Sequence, residues 1–419
     1  MILNKKIYIY LILTLTLLIG YYFNEDPSGG GEIDFKILFP YVENLSLDFK
    51  KGFTIYGNNP AILIHSPIFS ILQSIFLKFY GNLIVLNITY IIISSFLPFI
   101  FYLILKKKLN IKNDYIFYFS LVIFLSPYFR SSGIWLLGDN LSLIFFSLSI
   151  YFYLNTFKKK QDLNNYFLCL FFLILCSYIR YYYCLYVFYF FLYFYQNLRI
   201  SNFFQLLLFG FILSLPALFY VDFIFKNYNF FDSLSTYGKL NIYSNILIIL
   251  SIIFFYTIPI IFSEISKIKN YFKKNISFFL IFFVLIFLAY IIDKLNYLNI
   301  ISFSPRGGGV FLKLFELLNL DVKLFLSIIS FLSIIVLDFI FKKNRIINYF
   351  LLVILILSLP LFTFYQKYLD PLFFFLLFGL IQSDVIKNIL IEQRLNLFLF
   401  FSYFFSFYLF SLIYHLGVI

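Results

Sequence analysis

The sequence predicts an all-α polytopic membrane protein, and two observations carry that prediction. Apolar runs of about 18 residues or more recur along the chain, and such runs are long enough to cross a bilayer as helices. Only 12% of the residues are charged, against about 25% in a soluble domain. Because backbone polar groups in lipid must be satisfied within the segment, continuous apolar runs predict helices, whereas a β-barrel would show alternation.

The positions of the lysines and arginines predict the topology. A lysine pair precedes the first apolar run, 7–23, so the N-terminus is predicted to be cytoplasmic and the next loop to lie outside. If 61–79 and 82–105 both crossed the membrane, the lysines at 106–108 and every later basic cluster would fall on the outer side. We therefore predict that 61–79 lies at the outer interface or re-enters.

The other apolar runs complete a prediction of about 13 transmembrane helices, with a range of about 11–13. Beyond 7–23 and 82–105, the predicted spans are 115–129, 141–157, 164–178, 182–197, 203–225, 243–262, 276–293, 322–341, 347–364, 371–383 and 396–416. No soluble domain interrupts them, so 1–419 is predicted to be a single integral membrane domain. Its two substantial outer loops are 24–81 and 294–321. Within the span 322–341, Asp338 is predicted to pair with Lys342 or Lys343 at the cytoplasmic end, since Lys342 lies four residues on in the helix.

The first outer loop, 24–81, mixes acidic residues, glycines and prolines in an otherwise apolar chain. The apolar spacing of 35–45 predicts an amphipathic helix on the outer leaflet, and 61–79 predicts a second interfacial helix. Glu32 and Asp34 follow three glycines, so both carboxylates can face an outer vestibule. One could serve as a general base, or the pair could hold a divalent metal ion. A solvated acidic loop is the alternative.

The order of these features resembles the GT-C superfamily of membrane glycosyltransferases, and most closely its bacterial relatives of family 39 and the aminoarabinose-transferase group. Those enzymes carry a modified Asp-x-Asp motif in the first outer loop, which Glu32-Ile33-Asp34 matches here. They also share a His-Pro-Pro-Leu segment that ends in Phe-Gly. Here the similar stretch begins at His65, has Ser66 in place of the first proline, and ends at Gly81.

Two further matches lie outside the first loop. A Tyr-x-x-Pro motif near the last helices of the group is similar to the segment from Tyr368 to Pro371, and Lys367 stands where arginine is usual. Asp139, just before a predicted span, also fits the group. The resemblance covers most of the chain in layout.

The resemblance implies a mechanism and a location. A polyprenyl-phosphate-linked sugar would be transferred with inversion to a lipid, glycan or protein acceptor, with Asp34 as the base that deprotonates or orients the acceptor. No cofactor is implied beyond a possible divalent metal at Glu32 and Asp34, since many members are thought to work without one. The protein would be a multi-pass enzyme of the bacterial inner (plasma) membrane, in contact with membrane lipid and acting at its outer face.

The leaving lipid phosphate requires cationic ligands in the transition state. Arg306 beside Gly307 and Gly308 offers a guanidinium and backbone N–H groups, unless this is a plain flexible loop. Arg180 lies between apolar runs, where an arginine is costly unless paired; an interfacial anchor is its alternative role. Lys367 is a weaker candidate of the same type. The remaining candidates are Arg130, Asp139, Tyr368 and His65, the last as a proton shuttle or as a structural histidine at a helix start.

Two other functional classes stay open. A transporter or flippase of lipid-linked substrates would need related halves and polar residues near the membrane midplane. Pro216, Pro259 and Pro360 lie inside predicted spans, but no repeat is evident and the polar residues concentrate in outer loops. An O-antigen-polymerase-like glycan enzyme is the third class. The net charge of +13 does not indicate nucleic-acid binding, because the basic residues fall in short clusters that topology explains.

Overall fold

A computed structural model describes 2–57, 66–110, 114–157, 162–227, 242–295, 301–303, 307–359, 364–392 and 394–416. Every regular element within these residues is helical. Contacts between residues divide the chain into two compact units. The first comprises Met1–Ser233 with Phe401–Ile419, and the second comprises Leu234–Phe400. The acidic first loop belongs to the first unit and the glycine run at 307–309 to the second.

The first unit is built from eleven described helices and the end of a twelfth. They are α1 (Ile2–Tyr22), α2 (Gly31–Leu47), α3 (Phe49–Gly57), α4 (Pro67–Tyr80), α5 (Leu83–Leu109), α6 (Asp114–Ser120), α7 (Pro127–Ile134), α8 (Gly138–Thr156), α9 (Leu163–Ile179), α10 (Tyr186–Asn197) and α11 (Ile200–Asn227). The second unit contains α12 (Ile242–Lys274), α13 (Ile276–Lys294), α14 (Gly309–Leu317), α15 (Val322–Phe341), α16 (Arg345–Ser358), α17 (Leu372–Phe374) and α18 (Asp384–Glu392). The last helix, α19 (Arg394–His415), begins in the second unit and ends in the first.

Within the described residues, seven helices are long and apolar enough to cross a membrane. They are α1, α5, α11, α12, α13, α15 and α19. The number rises to nine if each of two sharply bent helix pairs is one span. One pair is α7 with α8, bent by 114°, and the other is Gln366–Leu380 with Asp384–Leu390, bent by 103°. The protein is therefore consistent with a helical membrane protein, but the predicted count of about 13 spans is not confirmed.

Several predicted spans form helices shorter than the roughly 20 residues of a typical transmembrane helix. The runs at 164–178, 182–197 and 347–364 fold as α9, α10 and α16, which have 17, 12 and 14 residues. At about 1.5 Å per residue, none of them reaches the roughly 30 Å of the hydrocarbon core. An apolar sequence indicates that a helix is buried, either in lipid or in protein. These three helices bury apolar side chains against other helices of the protein.

The run at 115–129 is broken by Pro127. Proline lacks an N–H and disfavours helical geometry at the residue before it. The chain accordingly leaves α6 through a tight turn of helix at Leu121–Leu125, becomes extended at Ser126, and starts α7 at Pro127. The Ser126 hydroxyl accepts a hydrogen bond from the Phe129 N–H at 3.0 Å and so caps α7.

The segment predicted not to cross, 61–79, contains α4, and its residues up to 65 lie outside the described residues. α4 has 14 residues, too few to span the membrane. Two contacts show that α1 and α5 run antiparallel. Tyr10 donates a hydrogen bond to the Ser95 carbonyl, and Asn87 donates to the Tyr21 hydroxyl at 3.2 Å. The chain from the end of α1 to the start of α5 thus leaves and returns at the same end of this pair, as a non-crossing loop requires.

The helix predicted at 35–45 forms as part of α2. Val42 and Leu45 on its apolar face are fully buried. Phe35 and Phe39 stack with ring centroids 4.9 Å apart and pack on a core cluster shared by α4, α5 and the start of α8. This face was expected to lie on the outer leaflet, and the structure instead covers it with protein.

Candidate functional site

The centre of the first unit's polar cluster is the acidic turn, which we define as residues 25–29, between α1 and α2. Glu25 forms a bidentate ion pair with Arg130: Nε lies 2.6 Å from Oε1 and Nη2 lies 2.6 Å from Oε2. The two side chains are only 10% and 6% exposed. Two parallel charge-assisted hydrogen bonds in a desolvated setting fix both side chains in orientation.

Small and polar residues of α1 make room for this pair. A Cβ on Gly20 would lie 2.5 Å from Glu25 Oε2, so only glycine lets the carboxylate fold back onto α1. The remaining donors of Arg130 reach Thr16, at 3.0 Å to its hydroxyl and 3.1 Å to its carbonyl. The Tyr408 ring covers the guanidinium at 5.0 Å. Arg130, a weaker candidate from the sequence, is thus fully engaged within the fold.

Asp26 caps α2 from outside the helix. The N-cap residue, Gly30, has no side chain to accept from the first turn. Asp26 Oδ2 fills that role by accepting the Glu32 N–H at 3.1 Å. Its Oδ1 accepts the hydroxyls of Ser131 at 2.8 Å and Ser28 at 3.0 Å. A carboxylate at a helix N-terminus is also favoured by the helix dipole, so Asp26 fixes where α2 begins.

The predicted catalytic carboxylates, Glu32 and Asp34, lie in the first turn of α2. Residues two positions apart on a helix point to different sides, so the prediction that both face one vestibule does not fit this geometry. Glu32 forms an exposed ion pair with Lys36 at 2.5 Å, whereas Asp34 is half-buried.

Trp135, the only tryptophan of the chain, closes the acidic turn. Its indole N–H donates to the Glu25 carbonyl at 3.0 Å. A Cβ on Gly31 would lie 2.9 Å from its ring, and the Phe35 ring centroid lies 5.9 Å away. Trp135 lies at the bend between α7 and α8. The bend therefore places the indole against the acidic turn.

Asp139 and Arg180, two sequence candidates 41 residues apart, meet in the structure. Arg180 Nη2 donates to Asp139 Oδ2 at 2.7 Å, with the side chains 13% and 16% exposed. Asp139 lies in the first turn of α8 and Arg180 at the end of α9. Burial raises the pKa of the nearby Tyr56 hydroxyl on α3, and the Arg180 charge opposes that rise. The pair therefore borders the first-loop helices.

In the second unit, the glycine run meets the segment before the predicted Tyr-x-x-Pro motif. The Gly308 N–H donates to the Phe364 carbonyl at 2.6 Å, and the Val310 N–H donates to Gln366 Oε1 at 3.1 Å. The sequence predicted the Gly307 and Gly308 N–H groups as phosphate ligands, but that of Gly308 is already engaged by protein. Gly307 precedes it with φ +89°, in the left-handed region that favours glycine.

Lys367 and Tyr368 lie beside that glycine run. The Lys367 ammonium stands 5.3 Å from the Tyr365 ring centroid and 5.9 Å from that of Tyr368. The structure thus brings together candidates that are about 60 residues apart in the chain. His65 and Arg306 lie outside the described residues.

Glu25, Asp26, Ser131 and Trp135 are the site residues that the sequence did not single out. Two signals pointed to them: adjacent acids directly after an apolar helix, and a single tryptophan. Within the described part of the chain, no group of three or more His, Cys, Asp or Glu side chains is arranged to hold a metal ion. Comparison of the chain with protein-family models, curated proteins and solved structures finds no match.

Proposed function

We propose that this protein is a membrane glycosyltransferase of the GT-C type. It transfers a hexose or pentose from a polyprenyl-phosphate donor to a lipid, glycan or protein acceptor at the outer face of the membrane. One observation carries the proposal: the first-loop acids and the Asp139–Arg180 pair belong to one unit. The helices that carry them form a continuous chain of contacts, in which α2 contacts α7, α7 contacts α8, and α8 contacts α9.

In this proposal Asp34 is the general base. Its carboxylate is half-buried on a helix whose start is fixed by Asp26, which suits a group that must meet an acceptor hydroxyl in one orientation. Asp34 takes the proton of that hydroxyl as the oxygen bonds to the sugar's anomeric carbon. The bond from that carbon to the phosphate oxygen breaks, and its electron pair leaves on the lipid phosphate. Glu32, with Lys36, lies nearby on the same turn for contacts to acceptor hydroxyls.

The charge that develops on the leaving phosphate requires a cation. We assign this role to Arg180, which Asp139 holds in place at 2.7 Å. A polyprenyl chain suits the apolar surface that the helices present. We further propose that the N-terminus is cytoplasmic and that α2, α3 and α4 lie on the outer side of a bacterial inner membrane.

Substitution of Asp34 tests the proposal. The purified protein in lipid nanodiscs is incubated with radiolabelled polyprenyl-phosphate hexoses and pentoses and an envelope lipid and glycan extract. Release of polyprenyl phosphate is measured. Asp34→Asn is expected to lower the rate about 10²–10⁴-fold, the usual contribution of a general base.

Asp48→Asn is the matched control, because Asp48 is an exposed carboxylate at the other end of α2 and should leave the rate unchanged. Full activity of Asp34→Asn would remove Asp34 as the base. Movement of the labelled donor across reconstituted vesicles without any transfer would replace the proposal with the flippase alternative.

A further inference from the structure

The last helix, α19, lays one face on the acidic turn. Tyr408, Ser411 and His415 follow one another at helical spacing and therefore share a side of the helix. The Tyr408 ring covers Arg130, and the Ser411 hydroxyl donates to the Pro27 carbonyl at 2.5 Å. The imidazole of His415 stands against Gly29. One face of α19 thus contacts both the backbone of the acidic turn and Arg130, the ion-pair partner of Glu25.

The contact between His415 and Gly29 is close. A Cβ on Gly29 would lie 2.1 Å from His415 Nδ1, so the imidazole occupies the space that any other side chain would need. Gly29 also has φ +69°, which favours glycine. Its N–H donates to the Asp26 carbonyl at 3.1 Å, and the imidazole is within electrostatic reach of the Asp26 carboxylate.

We propose that His415 is a positioning residue of the candidate site. It holds Gly29 against Asp26, Asp26 sets the start of α2, and α2 carries Asp34. The effect on catalysis rests on the proposed glycosyltransferase function, whereas the effect on the turn does not. His415 is exposed, so it acts at the edge of the turn and not inside the Glu25–Arg130 pair.

Trp135 provides a readout that does not depend on activity. It is the only tryptophan, it donates to the backbone of Glu25, and it contacts Gly31 and Phe35, so its emission reports on the acidic turn and the start of α2. His415→Ala is expected to shift this emission to longer wavelength and to increase its quenching by iodide. His415→Asn, which keeps a polar atom near the position of Nδ1, is expected to restore the wild-type spectrum.

Phe410→Ala is the control on the same helix, since Phe410 is 66% exposed and should leave the spectrum unchanged. A second pair of variants approaches the contact from the turn. Gly29→Ala should reproduce the His415→Ala spectrum because it displaces the imidazole. Gly30→Ala should not, because a Cβ there meets nothing within 4 Å. These variants keep the test informative if His415→Ala fails to fold.

Transfer kinetics separate the two proposals. If the protein transfers sugar, His415→Ala should lower kcat and leave KM for the polyprenyl-phosphate donor nearly unchanged, and His415→Asn should recover kcat. A response of Trp135 with no transfer by the wild-type protein would support the positioning role and overturn the proposed function. Unchanged Trp135 emission in both His415→Ala and Gly29→Ala would overturn the positioning role.

Discussion

At the scale of single residues, Arg130 shows how a costly side chain becomes part of a membrane protein's structure. A buried guanidinium requires a partner of opposite charge and acceptors for its remaining donors. Glu25 supplies the charge, Thr16 supplies two oxygens, and the Tyr408 ring covers the open face. These partners come from two helices and a turn, so the arginine joins distant parts of the first unit.

The Glu25–Arg130 pair predicts a clear pattern of stability. Glu25→Leu or Arg130→Met alone leaves an uncompensated buried charge and is expected to cost roughly 3–5 kcal/mol of unfolding free energy. The double variant should recover most of that loss. Thermal unfolding is measured by a thiol-reactive dye in a Cys184→Ser background, because Cys184 is exposed whereas Cys169 and Cys176 are buried and are expected to react on unfolding.

The exposed Glu32–Lys36 pair is the control for these variants. Its side chains are 43% and 70% exposed, and removal of such a pair costs about 0–1 kcal/mol. A loss from Glu32→Leu as large as that from Glu25→Leu would contradict the assignment of the buried pair.

The sequence showed which residues need a partner, but it did not show which residues those partners are. Arg180 was recognised as an arginine that needs a partner, yet Asp139 is 41 residues away and only the packing of α8 on α9 brings it within 2.7 Å. Asp26 was passed over because its role depends on a glycine N-cap that leaves a helix N–H open. Contacts of this kind follow from tertiary packing, which local spacing does not contain.

At the scale of elements, Asp338 ties three helices of the second unit together. It is fully buried on α15 and accepts the Tyr271 hydroxyl of α12 at 2.7 Å and the Tyr349 hydroxyl of α16 at 3.0 Å. Its ion pair is with Arg345 at 2.9 Å. The predicted partner, Lys342, instead lies over the Tyr271 ring at 4.1 Å, and Arg345 at the start of α16 contacts the carboxylate.

This network predicts graded losses of stability. Tyr349→Phe removes one hydrogen bond to a buried charge and is expected to cost about 1.5–3 kcal/mol. Asp338→Ala should cost more, since it also leaves Arg345 without its ion-pair partner. The same thermal assay measures both. Tyr195→Phe, at a residue that is 62% exposed, should be neutral, and an equal loss there would show that the tyrosine hydroxyls are not specific.

Helix boundaries were less predictable than helix content. The apolar pattern correctly indicated helix at 164–178 and 347–364, but not that the helices there have only 17 and 14 residues. Pro127 carried a readable signal, since proline ends a helix, and the break between Leu125 and the start of α7 follows from it. The burial of α2 against α4 could not be predicted, because an amphipathic helix suits a lipid surface and a protein surface equally well.

At the scale of the whole molecule, the antiparallel packing of α1 and α5 organises the first unit. Lys6, early in α1, forms an ion pair with Asp114, which follows α5. At the other end, Tyr21 meets Asn87. The sequence predicted a helical membrane protein correctly, and its basic clusters predicted the loop that returns to the same side. The predicted number of spans is not confirmed, because helices that pack inside a protein can be as apolar as helices that cross a membrane.

This packing predicts opposite accessibility at the two ends. In a Cys184→Ser background, which removes the exposed native thiol, Lys51→Cys on α3 is expected to react with an impermeant maleimide in intact cells. Lys106→Cys, at the far end of α5, should react only after permeabilisation. Both positions are exposed, so differences in burial would not explain the result. Labelling of both from the same side would contradict the antiparallel crossing.

The contact between Ser411 and Pro27 spans 384 residues, and this separation has a consequence for biosynthesis. At roughly 5–20 residues per second, the acidic turn emerges from the ribosome about 20–80 s before the helix that covers it. Arg130 follows Glu25 by only 105 residues, so the buried ion pair can hold the turn in the interval. The newly made membrane protein would therefore carry an uncovered polar turn until the 384 residues up to Ser411 have been made.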